Sequence, residues 1–150
     1  MKEIKTEDCK IIQPHFPENA VISNDKRKIF SFEEMGKKYQ AKNVNERIGI
    51  CLQIDGALYS SSDGKKCDKG LFIEDGRFFL IELKGCNTED ACIQIISTYK
   101  KIKNDYSDYN FYARIISRKS APRDSSKLKM AKKIFRKNFR QAENSLTESI

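Results

Sequence analysis

Asp68, Glu82 and Lys84 are the residues whose types and spacing could do chemistry. They sit near the ends of CDKGLFIEDGRFFLIELKG, residues 67–85, which reads as two apolar runs joined by a turn. Strand side chains alternate between faces with period two, so the loop decides which acid meets which. A two-residue Asp75-Gly76 turn would place Asp68 opposite Leu83 and send Asp68 and Glu82 to different faces. A three-residue loop, Glu74-Asp75-Gly76, puts Gly76 in the left-handed position of a bulge turn. It pairs Phe72 with Phe78, Gly70 with Leu80 and Asp68 with Glu82. The second register matches large apolar residues across the strands and is the expected one. Period two then adds Lys84 to the face of Glu82, so the three polar groups converge at the strand ends.

Two carboxylates facing each other across a sheet repel, and a cation between them removes the conflict. Hard oxygen ligands from Asp68 and Glu82, completed by a backbone carbonyl and water, suit Mg²⁺ or Mn²⁺. Such an ion activates water and stabilises charge developing on a phosphate oxygen. A lysine beside it positions the nucleophile or neutralises the transition state. Glu82-Leu83-Lys84 alone is a common strand-end pattern; the register gives it weight.

The surrounding elements must hold this patch. Ile48, Ile50, Leu52 and Ile54 alternate with Gly49, Cys51 and Gln53, which predicts a strand. Asp55-Gly56 is a turn signal, residues 57–60 could return as a short strand, and residues 60–65 are a polar loop. After the hairpin, Asn87 or Thr88 caps a helix with Glu89 and Asp90 in its first turn. Ala91, Ile95, Thr98, Tyr99 and Ile102 follow helical spacing. Residues 110–117 form another strand. Leu128, Ala131, Ile134, Phe135 and Phe139 predict a last helix whose other faces are basic. Upstream, Ser31-Phe32-Glu33-Glu34 is a capping-box pattern that predicts a short helix through about Gln40. The expected organisation is an N-terminal arm and short helix over 1–45, a core over 46–140 and a loose tail over 141–150. The fold class is α/β, a central mixed β-sheet flanked by helices.

An Asp opening one strand, then about a dozen residues, then apolar-apolar-Glu-apolar-Lys ending the next strand before a helix, resembles the core of the PD-(D/E)XK nuclease superfamily. Restriction endonucleases and archaeal Holliday-junction resolvases belong to it. The resemblance covers residues 47–118. It implies a restriction-endonuclease-like fold and a Mg²⁺-dependent (or Mn²⁺-dependent) endonuclease. It makes Asp68 and Glu82 the metal ligands, with the Leu83 carbonyl as a third. Lys84 would orient the attacking water and Gln94, on the following helix, would support it. Cys67 stands where the motif's proline would be. Glu34, Glu46 and Asp55 are candidates for an accessory acid, and Ser60, Ser61 and Ser62 for a serine loop. A homodimer is expected, since nucleases of this fold often pair to cut two strands. The alternative is a catalytically inactive protein of the same fold that binds nucleic acid or a protein partner.

Composition agrees with such a partner. The chain has 150 residues, enough for one domain with one core, and a net charge of +8. Between Ala113 and Arg140 eleven Lys or Arg face one acid, Asp124, a local charge of +10 that leaves the rest at −2. A basic surface of this kind fits a phosphate backbone, DNA first. Lys65, Lys66, Arg118, Lys119, Lys132, Lys133, Arg136 and Lys137 are the expected nucleic-acid contacts. No stretch approaches the roughly 20 apolar residues of a membrane span, so no membrane partner is expected. The N-terminus lacks an apolar block of signal-peptide length, which predicts the cytoplasm. The cysteines lack a CxxC spacing and the chain has a single histidine, His15. That argues against zinc and for reduced thiols, with Cys51, Cys67 and Cys92 as small core residues.

Overall fold

The computed structural model describes residues 13–60, 62, 64, 66–85, 87–119 and 121–150, with positions 84 and 85 described by their backbone alone. It is an α/β fold built on a six-stranded mixed sheet. The order across that sheet is β1 (Val21–Asp25), β4 (Gly49–Gln53), β5 (Lys69–Ile73), β6 (Arg77–Gly85), β7 (Asn110–Ser117) and β8 (Phe139–Glu143). The pairs from β1 to β6 are antiparallel, and β6–β7 and β7–β8 are parallel. The parallel β6–β7 pair needs a crossover, which α1 (Thr88–Asp105) supplies. A second helix, α2 (Ser126–Phe135), connects β7 to β8.

Both helices cover one face. Ile50, Leu52, Ile54, Phe72, Phe78, Leu80 and Ile115 pack there against Ala91, Ile95 and Ile102 of α1 and Leu128, Ala131 and Phe135 of α2. The other face is covered by strands, where flanking helices were expected. β2 (Ile29–Glu34), β3 (Lys37–Lys42) and β9 (Ser145–Ser149) form a three-stranded sheet. Its Phe30, Phe32, Tyr39, Ala41 and Leu146 meet Cys51, Leu71, Ile73, Phe79, Ile81 and Leu83. With both faces covered, the middle strands must be apolar on both sides, which explains the run Phe78-Phe79-Leu80-Ile81. Gly49 permits the close approach of the layers: a Cβ there would lie 2.3 Å from the Phe30 ring.

The expected helix over residues 31–40 is a β-hairpin instead. Phe30, Phe32, Tyr39 and Ala41 alternate inward, and Met35 and Gly36 take φ of 49° and 79° to turn the chain. Period-two burial overrides the capping-box signal. The tail is not loose either: β8 joins the main sheet beside β7, and β9 joins the small sheet beside β3. The basic helix ends at Phe135, and Phe139 opens β8. Residues 57–60 make a turn with one bridge, Asp55 to Tyr59, rather than a return strand.

A candidate carboxylate pair at the end of the central hairpin

The hairpin adopts the three-residue-loop register. Phe72 pairs with Phe78, Gly70 with Leu80 and Lys69 with Ile81. Gly76 has φ +97°, and its N–H donates to the Ile73 carbonyl at 2.9 Å. Side chains brace the loop from both ends: Glu74 accepts the Ile48 N–H at 2.6 Å, and Arg77 donates to Asp75 at 2.9 Å.

One pair beyond the regular ladder, Asp68 and Glu82 clasp the strand ends. The Asp68 N–H donates to Glu82 Oε1 at 3.0 Å, and the Leu83 N–H donates to Asp68 Oδ2 at 3.1 Å. Each carboxylate thus holds the opposite strand's backbone. Both are nearly inaccessible, at 4 % and 1 % exposure. Burying two acids is costly unless positive charge or donors compensate.

Helix α1 fixes the start of β5. The Cys67 N–H donates to Thr98 Oγ1 at 2.8 Å, and the Thr98 hydroxyl donates to the Gln94 carbonyl at 2.7 Å. Gln94 is therefore one turn from the residue that anchors the motif. The Cys67 thiol is fully buried; desolvation, then the charges of Glu82 and Asp68, push its pKa well up. It is a protonated packing group, and Cys51 and Cys92 are likewise free and buried. At the other end of α1, Asn87 caps the first N–H groups and Thr88 bonds to Ser117 Oγ and the Lys119 carbonyl. Ser125 caps α2 while donating to Glu89 at 2.7 Å, which ties the helices together.

The β6–β7 register slips by one residue between Glu82 and Gly85. Such an irregularity re-aims side chains near functional sites. Period two therefore does not carry by itself from Glu82 to Lys84, whose side chain lies outside the described residues. Lys65 also lies outside them. Lys66 was expected on the surface; it is 3 % exposed, and its ammonium donates to the Gly64 carbonyl at 3.3 Å.

The accessory acids separate. Glu34 stands on β2, with an oxygen 3.9 Å from the Lys69 ammonium, and Glu46 occupies a turn with φ +52°. Asp55 is beside the motif: Gln53 Nε2 bridges the Asp55 carbonyl at 2.9 Å and the Asp68 carbonyl at 3.3 Å. Its Oδ1 is buried without a hydrogen-bond partner. Ser60 and Ser62 bond to each other at 2.9 Å, while Ser61 lies outside the described residues.

The donor set fits a hard cation. Among the described residues, no group of three His, Cys, Asp or Glu forms a metal cage. Mg²⁺ needs none, since it is held by one or two carboxylates with water and substrate phosphate filling the remaining positions. Asp68, Glu82 and the Leu83 carbonyl would supply the protein's share.

The expected phosphate contacts divide into two groups. Arg118 and Lys119 are exposed and follow β7 at the end where Ile115 pairs with Glu82. Lys132, Lys133, Arg136 and Lys137 are also exposed. Arg136 and Lys137 lead into Asn138, whose side chain donates to the Phe111 carbonyl near the opposite end of β7. Six residues of strand, roughly 20 Å, separate the two ends. Arg114, counted with the basic segment, is buried and bonds Glu148 at 2.6 Å. Two residues that the sequence did not single out matter here. Thr98 looked like one more helical core position, and Glu148 lay in the expected loose tail.

Among the described residues, no helix is long and apolar enough to cross a membrane. Compared with known proteins, the chain matches no family model, no curated protein and no solved structure.

Proposed function

We propose that the protein is a metal-dependent nuclease of restriction-endonuclease-like fold that hydrolyses phosphodiester bonds, with DNA as its preferred substrate. The observation that carries this reading is the clasp of Asp68 and Glu82 across β5 and β6, buried beside α1. Two carboxylates brought together at the end of a central hairpin offer convergent oxygen ligands, which suit a hard cation. When bound, Mg²⁺ or Mn²⁺ would lower the pKa of a water and offset charge on the phosphate. Asp68 and Glu82 would hold the ion, each with one oxygen anchored by a backbone N–H of the opposite strand, from Leu83 and from Asp68. Lys84 orients the water, and Gln94 supports that position from α1. Arg118 and Lys119 hold the phosphate backbone at the same end of the sheet. A homodimer would supply one such site per strand of a duplex.

A second reading is the same fold binding nucleic acid or a protein without cutting it. It is favoured by the backbone N–H bonds that both carboxylates accept, which give the acids a structural role with no metal.

The test is incubation with supercoiled plasmid, single-stranded DNA and RNA in Mg²⁺, Mn²⁺ or EDTA. Metal-dependent cleavage lost in Glu82→Gln and reduced about a hundredfold in Lys84→Ala supports the nuclease. Metal-independent binding with no cleavage of any substrate supports the second reading.

A further inference from the structure

A cavity of about 560 Å³ lies at the C-terminal end of α1. Its walls include His15, Tyr59, Asp105, Tyr106, Asp108 and Tyr109. Three features there favour positive charge. Asp105 and Asp108 contribute carboxylates on a chain whose net charge is +8. The end of an 18-residue helix adds the equivalent of about half a negative charge. The tyrosine rings present π faces, which attract cations.

The walls are built rather than incidental. The Tyr59 hydroxyl donates to Asp105 Oδ2 at 2.6 Å, which fixes both groups. The Tyr106 ring packs 5.2 Å from Phe16 and the Tyr109 ring 5.0 Å from Phe72, both in the core behind them. The Tyr106 hydroxyl donates to the His15 carbonyl at 3.4 Å, which closes one side with the N-terminal arm. The chain's own Lys101 already sits against the Tyr59 ring, its ammonium 5.1 Å from the centroid, so an added cation would have to compete with it there.

We propose that this cavity binds an organic cation, an ammonium or guanidinium group carried on an alkyl chain. The carboxylates and the helix end supply the charge, the rings take up the alkyl stem, and the same field turns phosphate away. Binding of such a cation does not depend on the nuclease reading. A free polyamine-like molecule and the Lys or Arg side chain of a partner protein share this chemistry.

The probes are agmatine, for the free amine, and N-acetyl-arginine methylamide, for a protein side chain. Binding is read by calorimetry and by amide chemical shifts of the whole chain. Saturable binding of agmatine with Kd of about 1 mM or tighter is expected, weakened by salt. Asp108→Asn, at an exposed position, is expected to weaken it about fivefold. Tyr109→Leu is expected to weaken it while leaving the fold intact, as checked by thermal melting. Agmatine alone binding identifies a free amine; the capped arginine binding equally well identifies a protein side chain. Absence of saturation with both probes up to about 10 mM overturns the proposal. So does binding that neither substitution changes, or shifts that fall elsewhere on the chain.

Discussion

Position 67 shows how one backbone amide constrains a motif. The resemblance would place a proline there, but the Cys67 N–H is bonded to Thr98 Oγ1. A proline has no N–H to give. Cys67→Pro should therefore destabilise the protein, and Thr98→Val, which keeps the shape but removes the acceptor, should cost about 1–3 kcal/mol. Urea unfolding measures both. If Thr98→Val left stability unchanged, the anchoring of β5 to α1 through this bond would be wrong. The same residues show what sequence could and could not deliver. The facing of Asp68 and Glu82 was legible because Gly76 and the apolar pairs select one loop length. The Thr98 anchor was not, because a threonine on a helical stripe gives no sign of the strand amide it will meet.

The most informative element is β9. Its residues, SLTES, are mostly polar, and its partner β3 lies over a hundred residues earlier, so no local pattern announces it. Contacts made after folding hold it. Glu148 accepts from the Tyr39 hydroxyl at 2.6 Å, from Arg114 at 2.6 Å and from Arg140 at 3.1 Å. Burial alone would push the Glu148 carboxyl up. Hydrogen bonds from Arg114 and Tyr39, with the charges of Arg114 and Arg140, outweigh burial and hold it below its ordinary 4.5. A carboxyl lowered on folding gives stability that is present above about 4.5 and is lost as pH falls through the folded value. Glu148→Gln should destabilise by on the order of 3 kcal/mol at neutral pH, since it leaves Arg114 buried without its anion. It should also flatten the stability curve below about pH 4.5. Denaturant melts across pH check both, and an unchanged acid limb would contradict the assignment. The β2–β3 hairpin departs from the expected helix for another reason. Ser31 and Glu34 satisfy a helix-start rule, while the Phe30, Phe32, Tyr39 and Ala41 alternation that decides the fold becomes compelling only with a sheet to face. Met35, exposed and at φ 49°, is a costly turn residue, so Met35→Asn should stabilise the hairpin by about 0.5 kcal/mol.

Across the whole molecule, the exposed basic residues divide between the two ends of the central sheet. Arg118 and Lys119 stand at the Glu82 end of β7, while Arg136 and Lys137 lie toward the other end. Nucleic acid lying across both groups would contact phosphates along roughly 20 Å of strand. Arg118→Ala with Lys119→Ala, and separately Arg136→Ala with Lys137→Ala, should each flatten the log-affinity against log-salt slope for duplex DNA. The expected change is about 0.9 per lost phosphate contact. If only the first pair changes the slope, the bound surface is confined to the end bearing the acid pair. If neither does, these cations are a solvated face.

The central claim is that Asp68 and Glu82 hold a divalent cation, and a thermal melt with and without saturating Mg²⁺ or Mn²⁺ tests it most directly. An ion that binds the folded pair and not the dispersed acids of the unfolded chain must raise the melting temperature. At about a hundredfold excess over Kd the rise should be about 5 °C or more for a chain of this size. Glu82→Gln should remove most of that rise, and Lys84→Ala should keep it, because Lys84 is assigned to the water and not to the metal. A wild-type protein that shows no shift with either ion, or a shift that survives Glu82→Gln, would contradict the account.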